Sequence, residues 1–195
     1  MIDTIAERLT PERAESREIV PSAVLGVLVL VACESMFFAG LVSAFTIVKS
    51  TAVVWPPVGQ PRLPFEETAI NTAALLASAL VLRVAAKRYK DDPWAAERPF
   101  LATMLLGIAF LVLQGREWVA LLAQGLTLTS STLGSFFYLI VGAHGLHAIA
   151  GIVLLMYAWW RLRRGQLSDA AFLAIQIFWY FVVGLWPILY WRVYL

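Results

Sequence analysis

Few side chains in this sequence could do chemistry, and those few stand where polar groups are costly. Glu34 is the lone charge in LVLVACESMFFAGLVSAF, residues 28–45. His144 and His147, the only histidines, lie three apart in GAHGLHAIAG. Gln114 and Glu117 are also three apart, in QGREW, with Arg116 between them and Trp118 after. Spacing of three places both members of each pair on one helix face. An ionisable group in hydrocarbon costs at least a few kcal/mol, so it should face other protein, a polar ligand or water.

Several chemistries can be tested against this inventory. His144, His147 and Glu34 could together hold zinc, which takes imidazole and carboxylate ligands. A di-iron site would need Glu-x-x-His pairs on two helices, and the sequence has none. Two histidines on one helix face cannot clamp a haem from both sides, and there is no Cys-x-x-Cys-His. The single cysteine, Cys33, supports neither an internal disulfide nor a cysteine metal site. Dinucleotide loops, phosphate loops and nucleophile elbows are absent. The remaining use of these polar groups is to hydrogen-bond helix to helix, as they commonly do in membranes.

The elements that must position them follow from composition. Hydrophobic residues make up 61% of the 195 and charged residues only 14%, against about 25% charged in a soluble domain. The net charge of +2 gives no reason to expect a nucleic-acid partner. Five stretches reach the about 20 apolar residues that cross a bilayer: 21–48, 67–88, 99–118, 133–160 and 170–194. The fold class is therefore an all-α integral membrane bundle, with residues 1–20 as a charged arm and 21–195 as the membrane domain. Glu34 lies about 20 Å along the first span, and the histidines reach a similar depth in the antiparallel fourth. Glu66 and Glu67 suit the first turn of the second helix, with Thr68 and Asn71 following. Gly142, Ala143, Gly145, Ala148, Ala150 and Gly151 suggest a fourth helix packed as a buried spine.

The loop from Lys49 to Pro64 carries four prolines and Trp55. It can be neither a regular helix nor a central strand, and it reads as an interfacial cap or as a plain connector. The charged start lacks the pattern of a cleaved secretory signal, so the first helix is expected to be retained. Eleven of the fifteen Lys and Arg fall in the arm and in the second and fourth connections. The positive-inside rule then puts the N-terminus in the cytoplasm and the C-terminus outside.

CESMFFAG, WPPVG, INTAALLAS, QGREW and GSFFYLIVGAHGLHAIAG, in that order, resemble subunit III of the haem–copper terminal oxidases, the cytochrome c and quinol oxidases. The likeness covers about 150 residues and matches the short five-helix bacterial form. It implies a subunit without redox cofactors in the bacterial cell membrane, with haem and copper in its partners. It also implies packing against subunit I, association with subunit II, and phospholipid held in a cleft. The family's membrane glutamate matches Glu34, its two histidines His144 and His147, and its Gln-x-x-Glu-aromatic element Gln114, Glu117 and Trp118. The resemblance so makes Glu34, Trp55, Arg116, Glu117, His144 and His147 the candidates for the lipid cleft or a polar network.

One stretch departs from the family pattern. The last helix reads WYFVVGLWP, with Tyr180 and Val183 where the family commonly has His and Asp. That puts in doubt any proton-collecting role resting on those two groups. Two other readings remain at this level: the accessory membrane protein of nitric oxide reductases, which shares the fold, and a transporter or channel subunit. A transporter would be expected to show repeated, broken helices, and none is evident. The electron donor, the partner's haem type and the lipid species are not written in the sequence.

Overall fold

The computed structural model describes residues 20–194; the arm expected over 1–20 lies almost wholly outside them. Five long helices follow one another: α1 Ser22–Thr51, α2 Phe65–Asp91, α3 Glu97–Ala123, α4 Thr132–Arg163 and α5 Asp169–Tyr194. All five are long and apolar enough to cross a membrane, and the described residues contain no strand.

Every helix outruns the apolar stretch that marks it. At 1.5 Å per residue the 32 residues of α4 reach about 48 Å, against a hydrocarbon core of about 30 Å. The extra turns carry the polar ends. Lys87, Arg88 and Lys90 are still helical in α2, and Lys49 to Thr51 extend α1 into the expected loop. Hydropathy marks the part that lipid solvates, whereas backbone hydrogen bonding continues until something competes with it. After α2 the competitor is Asp92, whose side chain accepts from Trp94 N at 3.0 Å and opens a short 3₁₀ turn, Pro93–Ala96. After α3 and α4 it is Gly125 and Gly165, at φ +87° and +63°. The residue after each glycine donates back to the helix: Leu126 N to the Leu121 carbonyl, and Gln166 N to that of Arg161. This closes the last turn around a left-handed residue, where glycine is favoured.

The helix α5 is the hub, touching α1, α2 and α4, while α3 bridges α2 and α4. Thus α2, α3, α4 and α5 close a ring, and α1 lies outside it against α5 and α4. Only Val24, Phe38 and Phe45 are buried along the 30 residues of α1. In α5 the buried side chains recur at Phe178, Val182, Trp186, Leu189 and Val193, the three-to-four spacing of a helix packed along one stripe.

Lipid tails are as apolar as leucine, so helices here associate through close packing and polar contacts. Trp179 does both. A Cβ at Gly107 of α3 would lie 2.8 Å from one edge of its indole, and one at Gly151 of α4 would lie 2.7 Å from the other. Its Nε1 donates to Ser78 Oγ of α2 at 3.2 Å. One side chain of α5 therefore joins all three of the other ring helices. The expected buried spine on α4 is half right. His144, Ala148 and Gly151 are buried, but Ala150 is exposed, and Gly142 and Gly145 line an open groove against Trp118. Small residues wrap around α4 more widely than its packed face does, which composition alone does not resolve.

Candidate functional site

The polar residues gather at two depths. The first centre joins α1 to α4. His147 Nε2 stands 3.1 Å from Glu34 Oε2, with both side chains about a fifth exposed. His147 Nδ1 lies 2.7 Å from the Ala143 carbonyl. A carbonyl only accepts, so Nδ1 carries a hydrogen. Nε2 is then the ring nitrogen that faces the Glu34 carboxyl, so the two polar groups satisfy each other across α1 and α4. Phe38 meets the imidazole edge-on, ring centres 5.4 Å apart, and Phe178 lies 6.4 Å away.

His144 belongs elsewhere, although it shares the helix and nearly the same face. It is fully buried and stacks on Trp186 of α5 with centroids 4.8 Å apart. Phe110 packs edge-on to the imidazole at 6.2 Å and to the Trp186 indole at 5.0 Å. Trp186 in turn donates from Nε1 to Thr72 Oγ1 of α2 at 2.8 Å. The zinc trio of His144, His147 and Glu34 is therefore not assembled: one imidazole is stacked against α5 while the other pairs with α1. Among the described residues no three His, Cys, Asp or Glu side chains converge as a metal site.

The second centre is Glu117, near the end of α3. Its carboxylate accepts from Asn71 Nδ2 at 2.6 Å and from Gln114 Nε2 at 2.8 Å. Thr68 Oγ1 lies 2.8 Å from Glu117 Oε2 and 2.7 Å from the Pro64 carbonyl. The same Gln114 amide reaches Tyr194 OH of α5 at 3.0 Å. So α2, α3 and α5 are tied at one end through five buried polar side chains. Arg116 stands outside this network, on a surface pocket of about 340 Å³ beside Glu67 and Ile70. Trp55 is not at a polar centre either. It packs edge-on to Phe45 of α1, 5.6 Å away, and its loop touches the α3–α4 connection where Ser130 Oγ donates to Gln60 Oε1 at 3.3 Å.

The partners of Glu117 were partly readable in advance. Thr68, Asn71, Thr72, Leu75, Ser78, Leu82 and Ala85 are all buried, and their spacing of three or four marks a single inward stripe of α2 on which polar residues recur. Tyr194 had no such signal, because it sits 80 positions from Gln114 among other aromatics. The substituted positions of α5 also find places: Val183 lies in the apolar core, and Tyr180 lines a groove of about 700 Å³ between α1 and α5, together with Ser35, Thr46 and Arg192.

This geometry defines a class: a multi-pass helical membrane protein whose buried polar residues lock helix to helix. The family model of cytochrome c oxidase subunit III matches residues 10–195, and the chain belongs to that family. Cytochrome c oxidase subunit 3 of Synechocystis is 33% identical over 176 residues, covering 87% of this chain and 74% of that protein. The Thermostichus vulcanus subunit is 34% identical over 180 residues, covering 88% and 86%. A probable cytochrome c oxidase subunit 3 of Mycobacterium leprae is 30% identical over 175 residues, covering 87% and 86%. The chain is thus a bacterial multi-pass membrane subunit of a haem–copper oxidase and works within an oxidoreductase complex of several subunits.

Proposed function

We propose that the chain is a non-catalytic subunit III that packs against subunit I, keeps it intact through many turnovers and holds phospholipid in its grooves. Haem and copper belong to the partner subunits in this reading, with subunit II in the same complex. The observation that carries it is the use of the polar residues. Glu117 is bonded to α2, Glu34 is paired with α4, and Trp179 and Trp186 donate to α2. These are structural couplings between helices. The family likeness supports the same role.

The orientation is part of the proposal. Arg83, Lys87, Arg88, Lys90, Arg98, Arg161, Arg163 and Arg164 lie at one end of the bundle, which the positive-inside rule assigns to the cytoplasm. The loop bearing Trp55 is then outside. The deciding experiment is deletion of this chain from the oxidase that contains it. The visible spectrum and the initial oxygen consumption should stay largely unchanged, and activity should then decay faster with turnover. Loss of haem absorbance from an otherwise assembled complex would overturn the accessory role, as would stoichiometric metal in the purified chain.

A further inference from the structure

We infer that the groove between α3 and α4 is a binding site for an uncharged aromatic ring bearing hydroxyl groups, of the hydroquinone class. The site is separate from the packing role proposed above and does not depend on it. The groove measures about 620 Å³, within the usual range of about 300–1,000 Å³ for small-molecule pockets. Among the described residues its lining contains no Lys, Arg, Asp or Glu, so it offers nothing to a phosphate or any other charged headgroup. Five of its side chains are aromatic: Phe110, Trp118, Tyr138, His144 and Trp186. Gly142 and Gly145 add backbone without side chains. A flat apolar ring suits such walls, because aromatic groups favour stacked and edge-on packing.

The same lining holds polar atoms without partners. Among the described residues, Gln114 Oε1, Trp118 Nε1 and both ring nitrogens of His144 are buried and make no hydrogen bond. Gln114 is 5% exposed and His144 fully buried. A buried polar group left unpaired carries its full desolvation penalty, so four such atoms around one groove call for an occupant. They also define its chemistry. An indole N–H only donates, an amide oxygen only accepts, and an imidazole offers one of each. Gln114 cannot turn its amide round, because Nε2 is held by Glu117 and by Tyr194 OH at 2.8 and 3.0 Å. A hydroxyl donates and accepts at once, whereas a ketone or an ether leaves Gln114 Oε1 unanswered. Two depths need serving. Phe110 packs on the His144 imidazole, and Gln114 stands four residues further along α3, about 6 Å. Hydroxyls at opposite ends of one ring span a similar distance, while the ring between them meets the aromatic walls, which water would not. All four atoms lie beneath the groove surface, so the occupant reaches them as the Trp118 indole yields. There is room for that: a Cβ at Gly142 or Gly145 would still stand 3.8 or 3.6 Å from the indole.

The test uses the intact oxidase complex and a hydroquinone probe with a decyl tail carrying a diazirine. Label is counted only on peptides of this chain, so that sites on other subunits do not enter. Wild type should be labelled saturably on α3 or α4 around the groove. The dimethyl ether of the same probe cannot donate, and it should bind about tenfold or more weakly for the two lost hydrogen bonds. Trp118→Phe keeps an aromatic ring but removes the indole N–H, and it should weaken the hydroquinone about fivefold. Leu146→Trp, at a lining residue that is 69% exposed, fills the groove without touching its polar atoms and should block labelling. Val153→Trp, on the same helix but outside the lining, should leave labelling as in wild type. An ether that binds as well as the hydroquinone would reduce the groove to an apolar surface and overturn the site. Unchanged labelling in Trp118→Phe or in Leu146→Trp, or equal loss in Val153→Trp, would overturn it as well. A cyclohexanediol with the same tail that competes as strongly as the hydroquinone would overturn the aromatic assignment.

Discussion

The wedge of Trp179 between two glycines yields a prediction whose size can be worked out in advance. Substituting Gly151→Ala places a methyl 2.7 Å from Trp179 Cε3 and 2.9 Å from Cζ3, about 1 Å inside ordinary carbon contact. The indole cannot simply retreat. On its far side Gly107 lies so close that a Cβ there would be 2.8 Å from Cη2, and moving the ring also strains the bond from Nε1 to Ser78. Overpacking of a tight core costs about 1–3 kcal/mol, and an interhelical hydrogen bond in a membrane contributes about 0.6 kcal/mol. The expected loss is therefore about 2–3 kcal/mol, read as a shift in the midpoint of SDS unfolding followed by circular dichroism. Gly145→Ala is the matched control, because its Cβ would meet Trp118 at an ordinary 3.6 Å, and it should fall within about 0.5 kcal/mol of wild type. Since Gly107 and Gly151 press on the same ring, their alanine variants should combine non-additively. If Gly151→Ala unfolds at the wild-type midpoint, or if the two alanines add as independent changes, the wedge is not what holds these helices together.

Three further outcomes follow from the polar centres and the topology. Glu117→Ala strips an acceptor from Asn71 and Gln114, both nearly fully buried, and should cost about 2–3 kcal/mol, while Arg116→Ala, outside the network, should cost less than about 0.5 kcal/mol by the same SDS titration. Glu34→Ala and His147→Ala should each destabilise by about 0.6–1.7 kcal/mol, and the double variant by little more than either, because each single change already removes the shared contact. A reporter active only outside the cytoplasm should work when fused at Leu195 and stay silent after Arg164; the opposite pattern would invert the orientation.

The sequence made the number of helices legible because each apolar stretch is long enough to be unambiguous. It did not make their ends legible, since Lys87 to Asp91 remain helical beyond the lipid-solvated part and only capping residues such as Asp92 stop them. Depth was also readable: counting 1.5 Å per residue along antiparallel helices places Glu34 and His147 at one level, where they are found 3.1 Å apart. Rotation was not. His144 and His147 lie three positions apart, or about 300° around a helix, and the remaining 60° is enough to send one against α5 and the other against α1. Pairing of Gln114 with Tyr194 depends on which helices are neighbours, a fact that no local pattern carries.

The two replaced positions of α5 show why the substitutions are compatible with a stable bundle. An Asp at position 183 would lie where Val183 is now 2% exposed, in the apolar core. A carboxyl there would demand a partner, whereas valine demands none. The polar ties that the last helix still requires are made one turn away on either side, by Trp179 to Ser78 and by Trp186 to Thr72. An indole N–H donates a single bond and carries no charge, so each tie joins α5 to α2 without placing an ionisable group in the core. Position 180 points the other way, into the groove shared with α1, where a phenol can meet lipid and a polar group at once. The neutral core therefore leaves Glu34 with His147, and Glu117 with its amides, among the acidic side chains at the helix contacts of the bundle. Both stand at its margins, the first against the mostly exposed α1 and the second near the helix ends, where pairing a charge costs less than it would beside Trp186.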